Sequence, residues 1–413
     1  MERKRNGSTG GSGDRPFQRR IRRYAHAPVH RFIAVAPPEL RSLCEGELRN
    51  LGFLETRITE AGVEFTGKLS ACYLANLWLR TASRVLIRLP EFRAGAPEEL
   101  FGKTAAFSWE LWLDPIVPLQ IEAHVRYSRI SHEGVVADTI LGAIKRRLAD
   151  QGIGLSSSPG EHIRGVEDVD QGFADRQRVI VHLRKNHCEI SLDTTGAHLH
   201  QRGYRLAHAG APLRETLAAA ILMRAGWRWD LPLVDGMCGA GTVPIEASLL
   251  ARRIPPGLRR TFLFQRWPAF QEKTWGHLLK VASTGIIAHQ PAPLIAVDRD
   301  PEALSLAFRN AERAGVSLDI HWKEMDFFSF KPQDHGIGPG MLFLNPPYGR
   351  RLPGGGADFF DRLGSHMRQF FEGWQAAVLV PERATAGRLK LRSMRYWHIV
   401  HGGVPIVVVM ARL

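Results

Sequence analysis

The stretch LVDGMCGAGT, residues 233–242, decides the fold class of the C-terminal half of this chain. Two apolar residues lead into Asp235, a glycine-rich turn follows, and an apolar helical pattern runs over 243–252. This order is typical of parallel α/β sheets, which bind ligands at the carboxyl ends of their strands. Gly239 and Gly241 would let a ligand approach the backbone closely, or they form a tight structural turn. The G-K-[ST] ending of a phosphate-binding loop is missing, which disfavours a nucleoside triphosphate.

Further strands and helices alternate on both sides of this turn. We predict helices over 215–225 and 301–314, and strands over 294–298, 341–344, 376–380 and 404–410, the last a β-branched run suited to a sheet interior. Strands that alternate with helices predict a doubly wound parallel sheet. Many more residues separate Asp235 from Asp298 than the usual ~20, so 252–291 is interpreted as an insertion.

Acidic side chains stand where a cofactor of such a sheet would bind. Asp235 could bind a cationic amine, Asp298 could accept both hydroxyls of a ribose, and Asp326 could accept from an adenine amino group. Each acid taken singly could be an ordinary surface residue. Together, at strand ends in this order, they predict a cofactor cleft.

The motif NPPYG, residues 345–349, follows another predicted strand and carries the chemistry. Pro346 and Pro347 predict a rigid turn, in which the Asn345 side-chain oxygen and the Pro346 carbonyl are two fixed acceptors for an exocyclic amino group. The Tyr348 ring can stack on a flat base. Two such acceptors can direct the lone pair of a weakly nucleophilic aromatic amine at an electrophilic methyl group, without a strong base. The alternative is a rigid structural turn.

Composition restricts the class of protein and suggests a partner. The 413 residues, of which 44% are hydrophobic and 23% charged, exclude wholesale disorder and suggest two or three domains. No apolar run is long enough to span a bilayer, and the four cysteines form no C-x-x-C pair, which argues against a disulfide scaffold and fits a reducing cytosol. His124, His182 and His187 lack metal-ligand spacing, so we predict no metal site. The net charge of +14 suggests a polyanionic partner or a surplus for solubility.

The N-terminal half divides by pattern. Residues 1–31 are predicted to be a flexible basic tail, which either contacts phosphates or is merely solvated. A β-α-β-α-β pattern over 32–95 is compatible with a ferredoxin-like unit. A second unit follows, in which the basic loop 126–132 with Arg126 and Arg129 either holds phosphate oxygens or is merely solvated. In the insertion, Trp267 and Phe270 either cover a flipped base or belong to the core, and the core is the commoner role.

The chain resembles the class I S-adenosylmethionine-dependent amino-methyltransferases in its NPPY tetrad and glycine-rich turn. More specifically, roughly residues 32–413 resemble the THUMP-containing RNA guanine-N2 methyltransferases, in particular the bacterial branch that acts on 23S ribosomal RNA. The matching runs are SLDTTG at 191–196, LHQRGYR at 199–205, APLRETLAAA at 211–220, MCGAGT at 237–242, PIEA at 244–247 and NPPYGR at 345–350.

The resemblance implies an α/β protein in which a ferredoxin-like domain at 32–95 and a THUMP RNA-binding domain at 96–195 precede a Rossmann-like methyltransferase domain at 196–413. It implies Asn345, Pro346, Pro347 and Tyr348 as catalytic residues. It also implies S-adenosylmethionine as the cofactor, bound by Tyr204, Arg205, Pro212, Asp235, Met237, Cys238, Gly239, Gly241, Thr242, Asp298, Arg299 and Asp326. Arg126, Arg129 and Arg350 would contact RNA, and Arg350 could equally face solvent. We expect a cytoplasmic monomer.

Three alternatives stay open at this point. A tRNA guanine-N2 methyltransferase would have the same domains and the same chemistry. A DNA adenine-N6 enzyme shares the NPPY logic, but the N-terminal half argues against it. A non-catalytic RNA-binding assembly factor could retain the fold, although a pure binder needs neither 235–242 nor 345–348.

Overall fold

The structure is a computed structural model that describes residues 14–155, 176–206, 213–347 and 357–413. Its strands form two sheets, one in each half of the chain. The first half contains α1 (Asp14–Ile21), β1 (His30–Val35), α2 (Arg41–Asn50), β2 (Thr56–Ile58), β3 (Gly62–Gly67), α3 (Ser70–Trp78), β4 (Arg84–Arg88), β5 (Phe92–Arg93), α4 (Pro97–Ala105), β6 (Leu119–Arg126), α5 (Glu133–Asp150), β7 (Gln177–Arg184) and β8 (His187–Asp193).

The eight strands that the structure describes in the first half form one continuous sheet in the order β2-β3-β1-β4-β8-β7-β6, with β5 paired to β8. The link between the two predicted N-terminal domains is the antiparallel pairing of Leu86–Arg88 in β4 with Ser191–Asp193 in β8. The predicted division between 32–95 and 96–195 therefore lies within a single sheet, and it stays a prediction.

The segment 56–65, predicted as one strand, is instead a hairpin. β2 and β3 pair antiparallel, with Thr56 opposite Phe65 and Ile58 opposite Val63. The apolar residues change phase between Ile58 and Val63, and this break, next to Gly62, marks the turn that the single-strand prediction overlooks.

The basic segment predicted to be a flexible tail differs from that expectation where it is described. Asp14–Ile21 is an α-helix and Arg22–His26 continues it as one π-helical turn. Ile21 and Ala25 lie in the hydrophobic core of the first half, exposed by only 2% and 0%. These two apolar side chains are spaced four residues apart among many arginines. They pack against the core, whereas the prediction of a flexible tail implies no packing.

The second half contains α6 (Glu215–Ala225), β9 (Leu233–Asp235), α7 (Thr242–Ala251), α8 (Glu272–Thr284), β10 (Leu294–Asp298), α9 (Pro301–Ala314), β11 (Ile320–Glu324), β12 (Met341–Leu344), α10 (Ala357–Phe370), β13 (Gln375–Val380), α11 (Arg383–Arg388), β14 (Arg395–His401) and β15 (Val404–Arg412). Its seven-stranded sheet has the order β11-β10-β9-β12-β13-β15-β14. The predicted Rossmann-like class is confirmed.

The prediction of a wholly parallel sheet needs one correction. The five strands β11, β10, β9, β12 and β13 are parallel to one another. β15 runs antiparallel to both β13 and β14. β14 was not predicted, because Arg395 and two histidines interrupt its apolar pattern. As expected, the middle of β15 is buried, since the strand lies between two neighbours.

Most of the buried side chains of the insertion at 252–291 pack against the first half of the chain, whereas Ile254 near its start lies in the core of the second half. Phe264 stacks on Tyr73 with ring centroids 4.4 Å apart, and Trp267 meets the edge of Trp112 at 5.5 Å. Trp267 is only 3% exposed, and Phe270 packs against the same core. Of the two roles considered for these rings, the core role is the one that the packing supports.

Candidate active site

The ends of three neighbouring strands bring the predicted polar residues to one edge of the second sheet. β9 lies between β10 and β12, and Asp235 is in register with Ala296 on one side and with Phe343 on the other. Asp298 and Asn345 each lie two residues beyond these partners. Because parallel strands present their carboxyl ends at the same edge, the predicted convergence of the three residues is observed.

Backbone hydrogen bonds fasten the glycine-rich turn to both neighbouring strands. Gly236 N–H donates to the Phe343 carbonyl at 3.1 Å, and Cys238 N–H donates to the Val297 carbonyl at 3.0 Å. Gly241 has a φ of 78°, and a Cβ there would lie 2.9 Å from the Cβ of Ala307 on α9. The turn therefore requires glycine at this position, and its backbone is held at the edge of the sheet.

Asp235 is the most deeply buried of the three predicted acids. Its side chain is 1% exposed, and Met237 N–H donates to it over a long 3.4 Å. Burial, together with the nearby charge of Asp298, raises the pKa of Asp235 to about 8, although the hydrogen bond from Met237 N–H opposes the shift. A carboxylate in such a place is costly unless a cation accompanies it, so the site is suited to a bound ammonium group.

Asp298 and Asp326 lie at this edge of the sheet, and each accepts at least one hydrogen bond from a backbone N–H group. Asp298 accepts from Gly239 N–H at 2.8 Å and from Asp300 N–H at 3.1 Å. Asp326 accepts from Phe328 N–H at 2.8 Å and thereby caps a short 3-10 turn, while its second oxygen lies 3.9 Å from Arg299. Each side chain is thus oriented by the local backbone and keeps further lone pairs for a ligand.

The turn residues Met237, Cys238 and Thr242 present little reactive chemistry of their own. Met237 is half-buried, and Cys238 is 7% exposed, with a thiol whose pKa burial raises well above its usual range. Such a thiol stays protonated and is a poor nucleophile. Thr242 begins α7 and accepts from Arg205 at 2.9 Å. The turn therefore offers backbone groups and shape.

Arg205 connects the segment before α6 to the turn. Its guanidinium donates to Glu215 Oε1 at 2.9 Å, to the Leu213 carbonyl at 3.0 Å and to Thr242 Oγ1 at 2.9 Å. Burial raises the pKa of Glu215 to about 7, although Arg205 opposes the shift. Tyr204 is 3% exposed, and its hydroxyl donates to Glu246 at 3.2 Å. The hydroxyl of Tyr204 is therefore engaged inside the protein.

Sequence reasoning missed Glu215, Glu246 and Asn310, which support these side chains. Asn310 on α9 donates to the Ala240 carbonyl at 3.1 Å and accepts from Leu206 N–H at 2.9 Å, so it joins the turn to the 204–206 segment. An isolated asparagine on an otherwise amphipathic helix face was the available signal. Its partners, far away along the chain, were not readable from the pattern.

The NPPY motif begins at the end of β12. Pro346 is buried, and Asn345 and Pro347 are half-buried. Asn345 Oδ1 is buried, and no hydrogen-bond donor reaches it from the residues that the structure describes. A buried amide oxygen without a donor is costly, so a hydrogen bond from a group outside the described residues would be favourable here. Tyr348, Arg350 and Pro212 lie outside the described residues.

Arg126 and Arg129 lie on the first sheet, at the exposed carboxyl ends of the parallel strands β6 and β7. Ser128 Oγ accepts from Asn186 N–H at 3.0 Å, and Arg129 N–H donates to Asn186 Oδ1 at 2.8 Å, which fixes the loop on the β7–β8 turn. The predicted RNA-binding arginines are therefore held on an ordered loop. They belong to a different sheet from the strand-end site.

Metal-binding clusters and membrane spans are both missing from the described part of the chain. Within the described ranges, no group of three or more His, Cys, Asp or Glu side chains is arranged to hold a metal ion. Among the helices that the structure covers, none is long and apolar enough to cross a membrane.

The reversed strand β15 and the glycine-rich turn at the strand-end edge define a Rossmann-like methyltransferase domain. Residues 202–409 match the profile of the UPF0020 family, described as the RMKL-like methyltransferase domain, and 31–86 match the RlmL ferredoxin-like domain. The chain belongs to the RMKL-like methyltransferase family. The predicted enzyme class, a methyltransferase, is confirmed.

Curated relatives extend the similarity over nearly the whole chain. A "Putative RNA methyltransferase" of Synechocystis is 33% identical over 94% of this chain and 98% of its own length. A "Ribosomal RNA large subunit methyltransferase K/L" of Syntrophotalea carbinolica is 35% identical over 92% of this chain. The match covers 53% of that relative, so this chain spans about half of the length of the K/L protein.

Solved structures share the same architecture. One, described as "SMU.472, a putative methyltransferase complexed with SAH", superposes with a TM-score of 0.78 at 26% identity, covering 93% of this chain and 98% of its own. A "predicted N6-adenine-specific DNA methylase" from Listeria monocytogenes superposes with a TM-score of 0.78 at 27% identity. The match covers 93% of this chain and 96% of that protein. TrmN from Thermus thermophilus shares the fold, with a TM-score of 0.63 at 18% identity. The match covers 94% of this chain and 100% of that protein.

Proposed function

We propose that this protein transfers a methyl group from S-adenosylmethionine to the exocyclic N2 amino group of a guanosine in large-subunit ribosomal RNA. The observation that carries the proposal is the buried Asn345 Oδ1 at the end of β12, to which none of the described residues donates a hydrogen bond. An amide oxygen is an acceptor, and it fits a donor that only the substrate brings. An exocyclic amino group is such a donor, and the K/L relatives act, by name, on large-subunit ribosomal RNA.

The residues at the strand-end edge fit S-adenosylmethionine, which when bound supplies an electrophilic methyl group on a sulfonium. The buried carboxyl of Asp235 would bind the cationic amine, and Asp298 the ribose hydroxyls. Asp326, with Arg299 beside it, would bind the adenine amino group. The backbone of Met237, Cys238, Gly239, Gly241 and Thr242 would line the other side, and Tyr204, Arg205 and Pro212 the methionine end.

Asn345 and Pro346 would orient the target nitrogen. Asn345 Oδ1 and the Pro346 carbonyl would each accept a hydrogen bond from one of the two N–H groups of the amine, so that its lone pair is directed towards the methyl group. Pro347 keeps the turn rigid, and the Tyr348 ring stacks on the base. The C–N bond would form as the methyl–sulfur bond breaks, and the methylated nitrogen would then lose one proton to solvent. No strong general base is needed, because positioning and charge stabilisation carry the step. A stacked guanine cannot present this edge, so the base must be extruded from its helix.

We also propose that contacts beyond the strand-end site help to hold the RNA. Arg126 and Arg129 on the first sheet, together with Arg350 after the NPPY motif, would contact phosphates, which position the RNA without reading its sequence. The division into a ferredoxin-like part at 32–95, a THUMP domain at 96–195 and a methyltransferase domain at 196–413 fits such a separation of tasks. We propose that the protein is a monomer and acts in the cytoplasm.

The second candidate is adenine-N6 transfer to DNA, which the name of the Listeria relative favours. An adenine amino group would suit Asn345 as well as a guanine amino group does. Transfer to tRNA guanosine is the third.

The test is transfer of labelled methyl groups by the purified chain to 23S ribosomal RNA, tRNA and duplex DNA, followed by mass spectrometry of the nucleosides. We expect N2-methylguanosine from ribosomal RNA, and a rate lower by about 10²–10³ for Asn345→Ala with nearly normal cofactor affinity. N6-methyl-2′-deoxyadenosine from DNA, or an Asn345→Ala variant as fast as the parent, would refute the proposal. Mapping of N2-methylguanosine in RNA from cells that lack the protein would identify the modified nucleotide.

A further inference from the structure

One face of the N-terminal arm, which we define as Asp14–His26, is a row of arginines. Arg15, Arg19, Arg22 and Arg23 are all exposed. Their spacing of four, three and one residues places them along one side of the helix and the π-helical turn that continues it. We call these four side chains the arginine row.

The opposite face of the arm is fixed to the protein. Ile21 and Ala25 are buried in the core of the first half, and Phe17 packs against it. His26 Nε2 makes a 2.8 Å hydrogen bond to the Ala269 carbonyl in the insertion. The arm is therefore held on both the first half and the insertion, and its orientation is set by packing.

Arg20 shows what an arginine in this arm does when it has a protein partner. It lies on the packed side, forms an ion pair with Glu110, which is 1% exposed, and donates to Gln151 Oε1 at 2.7 Å. Glu110 also accepts two 3.0 Å hydrogen bonds from Arg147 on α5. This buried carboxylate thus holds the arm and α5 together.

The arginine row differs from Arg20 in this respect. None of its four side chains forms an ion pair with an acid in the part of the chain that the structure covers; Arg23 only lies over the ring of Tyr24, 5.4 Å from its centroid. Four neighbouring cations without counter-charges repel one another and attract polyanions. A row held by packing at fixed spacing matches a nucleic-acid backbone, whose phosphates are also regularly spaced.

We propose that the arginine row is a docking surface for the phosphodiester backbone of RNA, held in place by the packed side of the arm. The proposal rests on the proposed function, since it extends the contact surface of the same RNA substrate. The arm precedes residue 31, where the match to the ferredoxin-like profile begins, so the row adds to the surface of the matched domains.

The test is RNA affinity as a function of salt for the full-length chain and for Arg15→Gln, Arg19→Gln, Arg22→Gln and Arg23→Gln combined. If all four side chains contact phosphates, the logarithmic salt slope becomes shallower by about 3, and affinity at low salt falls by at least ten-fold. Cofactor affinity stays unchanged. An unchanged slope would refute the proposal.

A charge-matched control separates position from net charge. Arg253→Gln, Arg392→Gln, Arg395→Gln and Arg412→Gln combined remove the same number of exposed arginines from the second half. We expect the parent's slope from this control. An equal loss in both variants would mean that RNA responds to overall charge, and the arginine row would have no special role.

A third variant tests whether packing of the arm matters. Ile21→Ser keeps all four arginines but weakens the packed face, and limited proteolysis after the arm reports its release. We expect RNA affinity to fall several-fold, because the row is no longer held in place. Full affinity with a released arm would contradict a fixed docking surface. If the parent protein neither binds nor methylates RNA, it is the proposed function that fails.

Discussion

The carboxylate of Asp298 accepts a 2.8 Å hydrogen bond from the backbone N–H of Gly239. An acid at the end of β10 thus holds the glycine-rich turn that follows β9, next to it in the sheet. Asp298 also accepts from Asp300 N–H, two residues along its own chain. The acid proposed to bind the ribose therefore also shapes the turn that would line the same cofactor.

The first prediction concerns this double role. Asp298→Ala removes both the charge and the contact to Gly239, and we expect S-adenosylmethionine binding to weaken by about 1–3 kcal/mol. Asp298→Asn is the matched control, because its amide oxygen can still accept from Gly239. Titration calorimetry measures both. Parent affinity in a folded Asp298→Ala variant would remove the residue from the cofactor site.

The second prediction concerns Asp235, whose pKa burial raises to about 8. In the unfolded chain this carboxyl loses its proton near pH 4, whereas in the folded protein it keeps the proton up to about pH 8. Its contribution to the stability of the cofactor-free protein is therefore present below pH 4 and lost as the pH rises towards 8.

Asp235→Asn should remove this part of the pH dependence. We expect the variant to be more stable than the parent at pH 8 without cofactor, and to bind S-adenosylmethionine more weakly, because the amine loses its counter-charge. Thermal unfolding between pH 5 and 8, with and without cofactor, measures both effects. The same pH slope in the two proteins would show that Asp235 ionises normally.

The third prediction concerns Tyr348. We expect Tyr348→Phe to be mild, because the ring does the stacking, and Tyr348→Ala to be severe. Single-turnover methyl transfer to substrate RNA gives the two rates. Equal losses would assign the function of Tyr348 to its hydroxyl group instead.

The fourth prediction concerns the loop at the end of β6. Arg126→Gln and Arg129→Gln combined should make the salt slope of RNA binding shallower by about 2 and leave cofactor affinity unchanged. Arg57→Gln, on the exposed strand β2 and paired with Glu64 at 2.6 Å, is the control. If the double variant keeps the parent's slope, the loop lies outside the RNA interface.

The local pattern of the sequence was sufficient to predict the strand ends at which the site is built. Asp235, Asp298 and Asn345 each follow a short apolar run, and parallel strands bring their carboxyl ends together. The NPPY motif and the glycine-rich turn are contiguous, so their chemistry could be read without knowing any distant contact. The same holds for the charge of +14 that indicated a polyanionic partner.

Only the tertiary structure decided which distant segments meet. The pairing of β4 with β8, the reversal of β15, the contact of Trp267 with Trp112 and the hydrogen bond from Tyr204 to Glu246 all join residues far apart in the chain. Apolar residues that recur with a period of 2 in a strand or 3.6 in a helix reveal which face of the element is buried, but not which other element covers that face.

The N-terminal arm shows this limit most directly. Its arginines predicted a flexible basic tail, because apolar residues such as Ile21 and Ala25 are few there. They pack because the first half and the insertion together form a surface that receives them, with Glu110 placed to pair with Arg20. The sequence determined the composition and charge of the arm, and long-range packing decided that one of its faces is buried and that the other presents four arginines to solvent.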